Sequence, residues 1–158
     1  MSLEQVLLSL QETALGRFLD EGRYLPMLVQ ALHILAFTLL LAVVLVLALR
    51  VQGWALSALP LNRLASSLQR TYRWALGVAL VAGFLLFLPQ ADFYGLKPVF
   101  QWKLLILLVA VAVHALVQRG VSNLPADRAA SAPLKSLALL SLLLWVTTAV
   151  AGRAIGFV

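Results

Sequence analysis

The sequence predicts an all-α polytopic membrane protein, a four-helix transmembrane bundle preceded by an amphipathic interfacial helix. Three observations carry that reading. Hydrophobic residues make up 63% of the 158 positions and charged residues only 11%, more apolar surface than a soluble domain of this size can hide. Long apolar stretches alternate with polar connections that hold proline or glycine. The basic residues behind the net charge of +6 flank the apolar stretches, as topology requires, so nucleic acid is not an expected partner. The chain has no cysteine, which removes disulfides, thiolate metal sites, iron–sulfur clusters and cysteine nucleophiles.

Two parts are expected: residues 1–23 as the amphipathic helix, and residues 24–158 as the transmembrane domain, with spans at about 26–49, 74–89, 99–118 and 134–157. In the first part, Leu3, Val6, Leu7, Leu10, Leu15, Phe18 and Leu19 fall near one helical face, and Gly22 and Pro26 close it. Glu4, Glu12 and Asp20 make it too polar to span and unlike a cleaved signal peptide. It should lie in the interface or pack on a partner. The stretch Tyr24–Arg50 is the first span, uncharged from Pro26 to Leu49. Val51–Tyr72 is expected to be a loop with a short helix that begins at Pro60. The second span runs from about Trp74 to Leu88, and Gly77 and Gly83 should let a neighbouring helix approach closely. A polar connection from Gln90 to Pro98 leads to the third span, about Val99–Gln118. The linker VSNLPADRAASAP is turn-forming and expected to be partly disordered. In the last span Ala138, Ser141, Thr148 and Gly152 recur in the rhythm of a helix-packing seam.

Basic residues set the orientation. Arg50, Arg63, Arg70, Arg73, Arg119, Arg128 and Lys135 share one side with a single acid, Asp127. Arg17, Arg23, Lys97, Lys103 and Arg153 share the other with five acids. The first side should be cytoplasmic and both termini outside. Trp54, Trp74, Trp102 and Tyr94 fall at the expected interfaces, as belt residues do.

Ionisable residues within a span are functional candidates because an unpaired one is costly there. There are four: His33, Lys103, His114 and Arg153. Counted from the cytoplasmic ends at ~1.5 Å per residue, His33, Lys103 and Arg153 lie at about 26, 24 and 27 Å, and His114 at about 8 Å. Three cationic or potentially cationic groups thus share one level near the outer face, an anion pocket in character, suited to propionates, a lipid headgroup or a quinone carbonyl. Gln30 sits one turn before His33, and Gln101 and Gln90 are at similar depth. His33 and His114 differ by about 18 Å and make a poor axial pair for one haem within one chain. A haem ligated by His33, the one candidate metal ligand, needs another ligand or a partner subunit's histidine. Each candidate also has a plainer reading. Lys103 and Arg153 can snorkel to the surface, and either histidine can be a hydrogen-bonded packing residue. No phosphate-cradling loop, metal-ligand cluster or nucleophile–base pair is visible, so the chain does not read as an enzyme on its own.

Several stretches resemble a poorly characterised bacterial four-helix membrane family: Leu-His followed by an Arg seventeen residues on (His33, Arg50), a Pro-x-Phe-Gln-x-Lys opening (Pro98, Phe100, Gln101, Lys103), and a closing Trp…Gly-Arg-x-Ile pattern (Trp145, Gly152, Arg153, Ile155). That family is distantly similar to the CopD copper-resistance membrane proteins and to the HemJ protoporphyrinogen oxidases. The HemJ similarity rests on the Leu-His and on Lys103 followed eleven residues later by His114, and it implies haem b. The glycine-rich patch and Trp-Phe of HemJ span one are replaced by aliphatics, and Ala48 stands where relatives often carry an acid. The resemblance implies a bacterial cytoplasmic (inner) membrane location.

Three readings follow. The first is a redox-linked subunit that holds haem b or a quinone at the outer cluster, with His114 kept as a further cofactor-binding candidate. The second is a non-catalytic accessory subunit of a larger membrane complex, or a homo-oligomer, surrounded by lipid. The third is copper handling, which lacks a ligand ladder because the only methionines are Met1 and Met27.

Overall fold

The computed structural model describes residues 3–125 and 128–154. Among them there is no strand. The helices are α1 (Leu3–Gln11), α2 (Ala14–Glu21), α3 (Leu25–Gln52), α4 (Leu61–Phe87), α5 (Ala91–Gly95), α6 (Pro98–Ser122) and α7 (Ala132–Ala154), with a 3-10 turn at Leu88–Gln90 joining α4 to α5. Four segments are long and apolar enough to cross a membrane: Leu25–Gln52, Leu61–Gly95, Pro98–Ser122 and Ala132–Ala154. The chain is an all-α protein with the architecture of a multi-pass bundle.

Local chemistry sets the boundaries. Pro26 occupies the first turn of α3, where its missing N–H costs nothing. At the far end Gly53 takes a left-handed φ of 82°, and its N–H and that of Trp54 return to the carbonyls of Arg50 and Leu49 at 3.1 and 3.0 Å. The Arg50 guanidinium then donates to the Leu59 carbonyl at 2.7 and 2.9 Å, holding the short connection against the helix end.

Leu61–Phe87 is one helix of 27 residues, where the hydropathy pattern separates a loop helix from a span. Pro60 fixes its start. Arg63, Ser66, Ser67, Arg70 and Arg73 lower the hydropathy of the first half but leave its backbone bonding intact, so the rod emerges from the bilayer without unwinding. The connection expected from Gln90 to Pro98 is largely helical too, through the 3-10 turn and α5.

The N-terminal segment differs in the opposite way, because it breaks in two. Thr13 caps α2, its side chain accepting from the Gly16 N–H at 3.1 Å. A new helix start at Thr13 ends α1 at Gln11. Both pieces pack on the chain itself: α1 on α5 and the 3-10 turn, α2 on that turn. Leu7 and Leu19 are buried there, while Leu3, Leu15 and Phe18 stay exposed. This end of the bundle is called the capped end below, and the end with Arg50, Arg119 and Lys135 the basic end.

The spans form a ring in which α3 packs on α4 and α7, α6 packs on α7, and α6 touches α4 more lightly. Near the basic end, Leu47, Val51, Leu61, Val117, Val121 and Ala138 make one apolar cluster, joined by Leu124 and Ala130 from the connection. In the middle, Leu40, Val43, Val44, Tyr72, Ala75, Ala110 and Trp145 make another. Leu28, Leu35, Leu108 and Val150 are among the most exposed apolar side chains, as a lipid-facing surface requires. Trp54, Trp74 and Trp102 are also exposed. Part of the expected linker (Ala126 and Asp127) and the last expected turn (Ile155 to Phe157) lie outside the described residues.

Candidate functional site: a polar pocket at the capped end

Toward the capped end the apolar core gives way to a cavity of about 710 Å³. His33, Lys103, Arg153 and Gln30 all line it, each from a helix that reaches this level. Regular α-helical rise makes that convergence possible: the three spans carry these side chains similar distances from the basic end. Asp20, Tyr94, Phe100, Thr148 and Gly152 also border the space.

His33 is the most constrained of these groups. Its Nδ1 lies 2.8 Å from the Ala79 carbonyl oxygen on α4, so Nδ1–H donates and, in the neutral ring, Nε2 keeps a lone pair. The ring can come this close because the next turn of α4 is Gly83: a Cβ there would lie 3.0 Å from His33 Cε1. Gly77, also expected to allow a close approach, meets nothing within 4 Å and is exposed. Its i−6 spacing from Gly83 puts it on the lipid side of the helix.

Lys103 is half-buried and has no hydrogen-bond or ion-pair partner among the described residues. Its ammonium lies 6.0 Å from the Phe100 ring centroid and close to Gly152, where a Cβ would be 3.7 Å from Nζ. Phe100 in turn stacks on Phe87 at 4.9 Å and an interplanar angle of 9°, forming an aromatic wall. Thr148 and Gly152 therefore belong to the packing face of α7 and to the cavity at once. An ammonium held at this depth beside aromatic rings favours an acceptor oxygen as its partner. The lining carries two basic side chains, Lys103 and Arg153, and one acid, Asp20.

Two expected site residues are elsewhere. Gln101 is exposed and its side-chain amide donates to the Gly95 carbonyl at 3.2 Å, closing the turn before α6. His114 is 1% exposed and packs in the middle of the bundle. Its Nδ1 is 3.3 Å from Ser141 Oγ and its Nε2 is 3.4 Å from the Gln118 side-chain nitrogen. Its ring stacks on Tyr72 at 4.1 Å, and Tyr72 meets Trp145 edge-on at 6.1 Å. The two histidines are thus held by different helices in different environments and share no space. Among the described residues no group of three or more His, Cys, Asp or Glu could hold a metal ion.

Sequence reasoning did not single out Asp20 or Tyr94 as pocket residues. Tyr94 reads as a belt aromatic, and its inward placement depends on α5 folding back over the bundle, which local pattern does not show. Depth counting on α7 would have found Thr148, one turn below Gly152.

No curated protein and no solved structure matches the chain. Residues 13–158 match a family of unknown function, DUF6644. That match spans α2, all four membrane-capable segments and the whole pocket lining, and the protein belongs to this family.

Proposed function

We propose that this protein is a membrane subunit of the bacterial cytoplasmic membrane that holds a lipophilic redox carrier in the capped-end pocket, with both termini on the periplasmic side. Lys103, with no hydrogen-bond or ion-pair partner among the described residues, lines the same cavity as His33, whose Nδ1 alone is bonded, and this pairing carries the reading. A quinone fits that pair best. Lys103 donates to a carbonyl oxygen, and His33 Nε2 accepts from the hydroxyl of the reduced form, its tautomer set by the Ala79 carbonyl. Phe37 and Phe100 supply flat apolar walls. A quinone bound here would supply two-electron chemistry. The chain's own part is to bind, to orient, and to hold a proton at His33, which makes it a subunit rather than an enzyme alone.

Haem b is the second reading, and the bond between His33 Nδ1 and the Ala79 carbonyl favours it, since a ligating imidazole commonly donates its other N–H to a carbonyl. Lys103 and Arg153 would then face the propionates, and the sixth ligand would come from a partner. The resemblance to HemJ-type proteins points the same way. The exposed Leu15 and Phe18 of α2, the helix whose Leu19 and Asp20 line the pocket, offer a face for the larger complex either reading requires.

Purification in mild detergent, followed by an absorption spectrum and solvent extraction, tests both. Bound quinone, or a Soret band, at near-stoichiometric level is expected. Protein that is colourless and yields no quinone above the level of the surrounding lipid would rule out a redox carrier.

A further inference from the structure

The polar groups around His114 do not satisfy one another. Tyr72 Oη, Gln118 Oε1 and Trp145 Nε1 are buried and have no hydrogen-bond partner among the described residues. Their side chains are only 7%, 5% and 0% exposed. All three belong to one cluster, since Tyr72 stacks on His114, meets Trp145 edge-on, and His114 contacts Gln118. Exchanging the oxygen and nitrogen of the Gln118 amide only moves the deficit from one atom to the other. Within a bilayer no bulk solvent is present to make up three missing bonds, and native interiors rarely leave such groups unmet.

The three atoms are complementary in kind. The indole Nε1–H can only donate, the amide oxygen can only accept, and the phenol can do either. A molecule that both accepts and donates completes the set. Ring stacking at 4.1 Å and the complete burial of Trp145 exclude a ring-sized guest, and water is the smallest molecule that both accepts and donates. We propose that the His114 cluster is a hydration site, in which ordered water accepts from Trp145 Nε1, donates to Gln118 Oε1 and bonds Tyr72 Oη. No charged side chain belongs to the cluster, so solvation rather than ion pairing keeps its polar atoms in the core. The proposal is independent of what the capped-end pocket holds.

Solid-state NMR on the full chain in lipid bilayers, with magnetisation transferred from water to protein, tests it. Trp145 is the buried tryptophan, against exposures of 70, 72 and 63% for Trp54, Trp74 and Trp102, and its indole signal is identified by its loss in Trp145→Phe. The indole N–H of Trp145 should receive water magnetisation several-fold faster than the side chain of Leu40, its fully buried apolar neighbour in the same cluster. Tyr72→Phe should lower the melting temperature, because a water-bonded hydroxyl is lost. A Trp145 indole no faster than Leu40 overturns the proposal. So does a Tyr72→Phe protein as stable as wild type or more so, since that is what deleting a hydroxyl from a dry site produces.

Discussion

The two histidines show how one residue type serves two levels of a bundle. His33 is half-buried, fixed through one nitrogen to a backbone carbonyl, and lines a large cavity. His114 is 1% exposed, has neighbours at both nitrogens, and is stacked on Tyr72. The first is held but available, and the second is enclosed by the packing it supports. What separates them is the opposing helix. Gly83 leaves room for a ring beside a cavity, whereas α7 puts Ser141 against His114 and Trp145 against the Tyr72 ring that stacks on it.

Substitutions should therefore act on stability in the middle of the bundle and on ligand retention at the capped end. Trp145→Ala removes a fully buried side chain and should cost about 3–5 kcal/mol, measured as a loss of melting temperature in detergent. His114→Ala should follow at about 2–4 kcal/mol, because it opens a cavity and leaves Ser141 and Gln118 short of a partner. His33→Ala should cost less than either, about 1–2 kcal/mol, since the ring is half-buried and makes one hydrogen bond. If His33→Ala melts as low as His114→Ala, the contrast between the two sites fails. Gly83→Val should push the His33 ring off Ala79 at about 1–3 kcal/mol and abolish ligand retention. Gly77→Ala is the control on the same helix. It meets no neighbour within 4 Å, so it should be neutral or stabilise by up to ~1 kcal/mol through helix propensity, with the pocket unchanged.

How much of this could be read from the sequence depends on which direction in the bundle is asked about. Depth along a span is legible, because helical rise is regular. Counting from Arg50, Arg119 and Lys135 puts His33, Lys103 and Arg153 on one level, and all three line one cavity. Azimuth around the helix axis is much less so. Gly77 and Gly83 look alike in sequence, yet one meets His33 and the other meets nothing. Tyr72 reads as the end of a loop helix and Trp145 as part of a closing motif, yet both sit in the centre of the core. Helix continuity is also hidden, because hydropathy reports the surrounding solvent and not backbone bonding. Arg63, Arg70 and Arg73 mark where α4 leaves the apolar layer without ending it. In the N-terminal segment a polar side chain does the reverse, as Thr13 starts a second helix inside what reads as a single amphipathic one.

The central claim is that the capped-end pocket binds a redox carrier through His33 while the His114 cluster takes no part. The most direct measurement is the amount of quinone or haem per protein in wild type, His33→Ala and Ser141→Ala, purified side by side in mild detergent. Near-stoichiometric ligand in wild type and Ser141→Ala, with a drop of tenfold or more in His33→Ala, is the predicted result. Equal occupancy in all three, or a loss in Ser141→Ala that matches the loss in His33→Ala, would contradict it.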